Sequence, residues 1–210
     1  MQQEVPYRRM KDPLFRRSQE EGLRLPHIAP INALVDELRE EGRGWVPYVA
    51  PLYGGIEAEM LSVLRDPGPK TNLANDGSGF LCIENDDPAA ELLATLLAEA
   101  GIAPVKMTPW NAYPWYINRA PKVAELEVGM NPLRRLLALL PRLRVVMLHG
   151  GEAQSLWRKF TEASPAIAAS YVVLPTYHTS RQAFIGNTEV REARMADLRA
   201  KFASAGRLLR

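Results

Sequence analysis

Residues 60–68 read MLSVLRDPG, a short apolar run that ends abruptly at a charged segment containing proline and glycine. An apolar run of this length bounded by turn residues predicts a buried strand that enters a loop. The pattern recurs further along the chain, and we expect strands at 105–107, within LRVVMLHGG (143–151) and within YVVLPTYHTS (171–180).

Helical segments separate these strands. Asp87 suits the N-cap of a helix that has Pro88 in its first position and stops at Gly101. Residues 122–140 also have a helical pattern, in which Gly129 and Pro132 are expected to break or restart the helix. The remaining predicted helices cover 31–41, a short stretch within EAQSLWRKF (152–160), and about 188–205.

Alternating strands and helices predict an α/β fold, a three-layer α/β/α sandwich around a mostly parallel four-stranded sheet. The 210 residues suit one domain over 1–210, with 1–28 as an irregular N-terminal arm. Because ligands bind beyond the carboxyl ends of parallel strands, the candidate site walls are the loops that start at Arg65, Thr108, His149 and Pro175.

The composition excludes several classes of protein. Hydrophobic residues make up 47% and charged residues 24%, with a net charge of +2, so DNA binding would need a local basic patch. A single cysteine, Cys82, excludes disulfide scaffolds and cysteine-held iron–sulfur clusters, and with three histidines no metal or organic cofactor is expected. The single cysteine favours a reducing cytoplasm, and neither a signal peptide nor a membrane span is predicted.

Four polar or aromatic residues in the loops are candidates for chemistry. Asp66 is suited to orient water or face a cation, although Asp-Pro-Gly is also a common turn. Phe80 is suited to stack on a planar base, or to anchor its loop in the core. Asn111 can pair with a base edge, or cap a turn. His178 can stabilise an anion or transfer a proton, or be a buried structural histidine, the role we favour for His149.

Five segments, in order, resemble motifs of the uracil-DNA glycosylase superfamily, and together they cover about residues 58–186. The first is LRDPG, and the third, TPWNAYPW, is similar to the strand end that presents a base-reading asparagine in that family. The five are LRDPG (64–68), GSGFLCIENDDPAAELLATLLAEAGI (77–102), TPWNAYPW (108–115), LHGGEAQSLW (148–157) and PTYHTSRQAF (175–184).

This resemblance implies a monofunctional DNA glycosylase of base excision repair. The enzyme would flip a damaged, uracil-type base out of DNA and hydrolyse its N-glycosidic bond without a metal or cofactor. It would act as a monomer that associates with the bacterial nucleoid. The implied site comprises catalytic Asp66 and His178, base-binding Phe80, Asn111, Pro67 and Gly68, and DNA-binding Lys70, Ser180 and Arg181.

Two other functions stay open. One is a non-catalytic member of the same fold that binds DNA or a free base, favoured if Asp66 were buried against Arg65 and away from the pocket. The other is a small-molecule enzyme acting on nucleosides or nucleotides, which would have a closed pocket without a basic rim. The preferred base is open between uracil, other deaminated or oxidised bases, and mismatched pyrimidines.

Overall fold

A computed structural model describes residues 7–210, so the first six residues of the expected arm lie outside the described residues. Four parallel strands form the main sheet in the order β4-β2-β5-β6, and two short parallel strands, β1 and β3, form a second sheet. The strands are β1 (Tyr48–Val49), β2 (Met60–Leu64), β3 (Phe80–Leu81), β4 (Met107–Asn111), β5 (Val145–His149) and β6 (Val172–Thr176).

Helices cover both faces of the main sheet, which confirms the α/β/α sandwich predicted from the sequence. In one layer α4 contacts both α2 and α5, while in the second layer α3 and α7 contact each other. The helices are α1 (Pro13–Glu21), α2 (Ala29–Glu40), α3 (Pro88–Glu99), α4 (Val123–Ala138), α5 (Gly151–Ala163), α6 (Pro165–Ala168) and α7 (Thr188–Leu208).

Strand β4 begins later than the sequence pattern suggested. Residues Pro104–Lys106 form a 3-10 turn, and the strand runs from Met107 through Pro109 to Asn111. Proline removes one backbone donor, which an edge strand tolerates because one side of that strand has no partner. Both outer strands of the main sheet carry a proline, Pro109 in β4 and Pro175 in β6.

Helix α4 is continuous through Gly129 and Pro132, so the predicted break is wrong. Pro132 costs the helix one backbone hydrogen bond, but the helix buries an apolar face that includes Leu133, which offsets the loss. Gly129 has a packing role, because a Cβ there would lie 2.0 Å from the carbonyl oxygen of Ala112. The glycine therefore allows α4 to lie directly against the segment that follows β4.

The N-terminal region differs from the irregular arm expected over residues 1–28. Asp12 accepts a hydrogen bond from the backbone nitrogen of Leu14, and Pro13 occupies the first turn of α1. The 3-10 turn just before this helix is joined to the domain by an ion pair between Arg9 and Glu84, and by a backbone hydrogen bond from Met10 to the Glu84 carbonyl. The described part of the arm is thus helical between Pro13 and Glu21 and is bound to the loop after β3.

Replacing Gly129 by alanine should destabilise the protein by about 1–3 kcal/mol or more, because the new methyl group would overlap the Ala112 carbonyl. Gly151→Ala is the matched control, since a Cβ at that helical position meets nothing within 4 Å. Urea unfolding of the two variants checks this. Equal stability of both variants would contradict the close approach of α4 to the end of β4.

Candidate functional site

The carboxyl ends of the four main strands lie together at one edge of the sheet. Leu64 of β2 pairs with Asn111 of β4, and His149 of β5 pairs with Thr176 of β6. Two backbone hydrogen bonds continue this alignment into the loops, from Ala112 to the Leu64 carbonyl (2.7 Å) and from Gly150 to the Thr176 carbonyl (2.9 Å). The loops after the strands therefore start side by side.

A cavity of about 790 Å³ opens at this edge and is lined by residues from the loops after all four strands. Most of the residues predicted for the site lie on its wall. These are Asp66, Gly68, Asn111, His178, Ser180 and Arg181.

Three predicted residues are not brought to the cavity wall. Phe80 is only 2% exposed and lies in β3, where it pairs with Tyr48, while its neighbours Leu81 and Cys82 face the cavity. Pro67 is buried and does not line the cavity. Lys70 is exposed and lies outside this cavity.

Asp66 is a buried carboxylate with one paired and one unpaired oxygen. Its side chain is 2% exposed, and its Oδ1 accepts a 2.5 Å charged hydrogen bond from Nε of Arg65. Oδ2 makes no hydrogen bond of ordinary geometry within the described part of the chain, although the backbone N–H of Arg119 is near enough to stabilise the carboxylate. Burial raises the pKa of Asp66 above its usual range, and the adjacent Arg65 guanidinium opposes this rise. Asp66 is thus in the cavity and also paired with Arg65.

Asn111 also lines this cavity and has an unsatisfied amide oxygen. The residue is 3% exposed, and its Oδ1 is buried without a hydrogen-bond partner among residues 7–210. A buried carbonyl oxygen without a partner costs free energy of about 1–3 kcal/mol, which a ligand with a suitably placed N–H donor would recover. The side chain is therefore prepared to bind a polar edge.

His178 is held as a neutral imidazole. Its Nδ1 accepts a hydrogen bond from the backbone nitrogen of Ser180 (3.0 Å), so the proton of the neutral ring is on Nε2. Burial, and then the positive charge of Arg65, lower the pKa of His178 to about 4. At neutral pH the ring is therefore a neutral hydrogen-bond donor at the cavity wall.

His149 lies deeper, in the core. It is fully buried, its Nε2 is 2.8 Å from Oγ of Ser62 on β2, and its ring centre is 5.9 Å from that of Phe202 on α7. Burial lowers the pKa of His149 to about 3. These contacts agree with the structural role that we favoured for this residue.

Sequence reasoning missed several residues of the cavity. Asp87 had been assigned only as an N-cap, while Arg194 lies on α7, more than 125 residues along the chain from Asp66, where no local pattern marks it. Glu152 follows the glycine turn after β5. The missed lining residues include Tyr53, Asp87, Asn118, Glu152 and Arg194.

Within residues 7–210, no group of three or more histidine, cysteine, aspartate or glutamate side chains is arranged to hold a metal ion. In the same part of the chain, no helix is both long and apolar enough to cross a bilayer.

Compared with known protein families, residues 53–199 match the uracil DNA glycosylase superfamily. The matched range is seven-tenths of the chain and contains every cavity residue discussed above. This chain belongs to the uracil DNA glycosylase superfamily. No curated protein matches the chain significantly. Membership of the superfamily implies a DNA glycosylase in general terms, with DNA as its substrate, and does not specify the base.

Replacing His149 by glutamine should flatten the pH dependence of stability. An unfolded imidazole titrates near pH 6.5, whereas the pKa of folded His149 is about 3. Below pH 6.5 the unfolded chain therefore binds a proton at this residue that the folded chain does not bind. The stability that the protein has above that pH is lost as the pH falls. Between pH 7 and pH 5 the free energy of unfolding of the variant should fall by about 2 kcal/mol less than that of the wild type. Urea unfolding at both pH values measures this. Identical pH slopes would contradict a buried, neutral His149.

Proposed function

We propose that this protein is a monofunctional DNA glycosylase that flips a deaminated, uracil-type base from DNA and hydrolyses its N-glycosidic bond. The supporting observation is that Asp66, Asn111 and His178 lie on the wall of one cavity at the carboxyl edge of the sheet. In this proposal the activity is carried by one domain acting as a monomer.

Asp66 acts on the sugar in the proposed mechanism. The bond between C1′ and the base nitrogen breaks, its electron pair leaves with the base, and positive charge develops on the sugar. The Asp66 carboxylate faces this cation and orients the water that bonds to C1′. The water proton passes to the carboxylate and then to the departed base. The unpaired Oδ2 is the oxygen available for this role, because Oδ1 is bonded to Arg65.

His178 and Asn111 act on the base. A neutral imidazole with its proton on Nε2 donates a hydrogen bond to the negative charge that develops on a base oxygen. Removing such a donor typically lowers the rate about a hundredfold or more. The Asn111 amide donates and accepts, so it can pair with the Watson–Crick edge of the flipped base. The Phe80 ring has no part in the proposal, since it lies away from the cavity.

The absence of a lysine from the cavity wall, within the described residues, supports hydrolysis by water. A lyase reaction on the sugar would need an amine nucleophile that forms a Schiff base. The acidic and neutral groups present are instead suited to direct water.

A non-catalytic, base-binding member of the family is a second candidate, because Asp66 is paired with Arg65. If the ion pair held both carboxylate oxygens away from water, the cavity would bind a base without hydrolysing the glycosidic bond. Asp66 nevertheless lines the cavity, and its second oxygen is unpaired. These observations favour the catalytic proposal.

Cleavage of labelled oligonucleotides carrying one uracil, hypoxanthine, xanthine or mismatched thymine tests the proposal. Asp66→Asn and His178→Ala should each lower the rate of abasic-site formation by about a hundredfold or more, because they remove the cation-facing carboxylate and the donor to the base. Asp76→Asn is the matched control, an exposed aspartate in a left-handed conformation that asparagine also adopts. DNA binding without product from any lesion would favour the second candidate.

Arg181 should contact a DNA phosphate, because it is exposed at the cavity rim and forms no ion pair within residues 7–210. Arg181→Ala should weaken DNA binding and reduce the slope of log Kd against log salt concentration by about 1. Arg142→Ala is the control, since Arg142 precedes β5 at the opposite edge of the sheet. Fluorescence anisotropy at several salt concentrations measures both slopes. Equal slopes for the two variants would place the DNA elsewhere.

A further inference from the structure

The segment that joins β4 to α4 runs beside the loop that carries Asp66. A backbone hydrogen bond of 3.1 Å from Tyr113 to the Arg65 carbonyl joins the two. Further along the segment, Asn118 lines the cavity. The backbone N–H of Arg119 then lies close enough to the Asp66 carboxylate to stabilise its negative charge. The segment after β4 is therefore part of the environment of Asp66.

The direction of this N–H depends on an uncommon backbone conformation. Asn118 has φ 52°, in the left-handed region. Few residues other than glycine adopt this region, asparagine does so more often than most, and a β-branched residue there is strained. Because the two backbone dihedrals of Asn118 orient the peptide unit that joins it to Arg119, they also set where the Arg119 N–H points.

The side chain of Glu125, in the first turn of α4, holds the following residues in place. Its two oxygens accept hydrogen bonds from the Arg119 guanidinium (2.8 and 2.5 Å), and one of them also accepts from the backbone nitrogen of Lys122 (2.6 Å). A single exposed ion pair adds little to stability, but here three hydrogen bonds converge on one carboxylate. The bonds from Arg119 and Lys122 lower the pKa of Glu125 to about 2, so the carboxylate keeps its charge in mild acid.

We propose that the segment 118–122, held by Glu125, is a positioning element for Asp66. The left-handed residue Asn118 directs the Arg119 N–H at the carboxylate, and the bonds from the Arg119 side chain to Glu125 keep the peptide there. These residues act through Asp66 and do not need to touch the reacting atoms. The inference rests on the proposed function, in which an ionised Asp66 faces the sugar cation.

The charged groups around Asp66 determine the direction of the expected effect. Arg65 on the same loop and Arg119 on the segment after β4 favour the ionised carboxylate, whereas burial and the negative charge of Glu152 on α5 oppose it. Losing the Arg119 N–H shifts this balance, so the pKa of Asp66 should rise further. The ionised carboxylate is then lost at a higher pH as the solution is acidified. The acidic limb of the pH–rate profile should move in the same direction.

Two substitutions of Asn118 separate the backbone conformation from the side chain. Valine is strained in the left-handed region, whereas glycine adopts it freely. In Asn118→Val the acidic limb of kcat/KM, measured on a lesion-containing oligonucleotide, should move to higher pH. On that limb the rate relative to neutral pH should fall by about three- to tenfold, the effect of one hydrogen bond. Asn118→Gly removes the larger part of the side chain from the cavity, yet its limb should stay in place whatever its rate.

Arg119→Gln provides an independent variant, because it removes both the cation near Asp66 and the paired bonds to Glu125. Its acidic limb should also move to higher pH. Arg199→Gln is the matched control, since Arg199 forms an equivalent exposed pair with Glu99 away from the cavity. A rate lowered by one factor at every pH in both Asn118→Val and Arg119→Gln would overturn the positioning role, as would a limb that moves equally in Asn118→Gly.

NMR titration of the Asp66 carboxyl carbon, assigned with Asp66→Asn, separates this role from catalysis. It also distinguishes Asp66 from His178, whose pKa of about 4 lies in the same acidic range. If no oligonucleotide is cleaved but Asp66 titrates at higher pH in Asn118→Val and Arg119→Gln than in the wild type, the positioning element stands and the proposed glycosylase reaction fails. Identical titration of Asp66 in all of these proteins would overturn the positioning element, even if the oligonucleotides are cleaved.

Discussion

Strand β2 is hydrogen-bonded on both sides, to β4 and to β5, and this pairing determines where the polar groups of the cavity begin. All strands of the main sheet run in one direction, so their carboxyl ends meet at one edge. The register places Asn111 beside Leu64, the residue that precedes the Arg65–Asp66 pair. Each loop then needs to provide only one or two side chains to complete a shared site. Gly129 supports this arrangement, because it lets α4 lie against the residue after Asn111.

Arg65 acts to lower the pKa of both proposed catalytic groups, which favours the charged form of one and the neutral form of the other. Its positive charge favours the ionised form of Asp66, against the effect of burial, and it lowers the pKa of His178, together with burial. One cation thus favours a carboxylate on one side of the cavity and a neutral imidazole on the other. Proposed glycosidic hydrolysis needs both states at once, a negative group for the sugar and an uncharged donor for the base. The Arg65–Asp66 ion pair therefore supports this chemistry, although it occupies one oxygen of Asp66.

The sequence contains three Asp-Pro dipeptides, which show how far local pattern predicts this structure. At 87–88 and at 12–13 the aspartate caps a helix whose first turn contains the proline. Only the cap at Asp87 was predicted, because the arm lacks a long helical repeat of apolar residues after Pro13. At 66–67 the dipeptide follows a buried strand, and the carboxylate instead pairs with Arg65 in the cavity. Local signals therefore located the four strands of the main sheet and most of the loops that follow them, but not β1 and β3. The burial of Phe80 depends on pairing with distant Tyr48, and the position of Arg194 depends on how α7 packs, so neither had a local signal.

The balance of charge in the cavity bears on the class of ligand. Its wall has three carboxylates, Asp66, Asp87 and Glu152, and three arginines, Arg65, Arg181 and Arg194. Arg65 is paired with Asp66, and Arg194 donates to the backbone carbonyls of Ala183 and Ile185. Arg181 is therefore the cation most available to a phosphate, and it lies at the exposed rim. An enzyme for free nucleotides would need unpaired cations inside its pocket to hold the phosphate groups. Acidic groups inside and an available cation at the rim instead suit a neutral base, a sugar that becomes cationic, and a DNA backbone that stays outside.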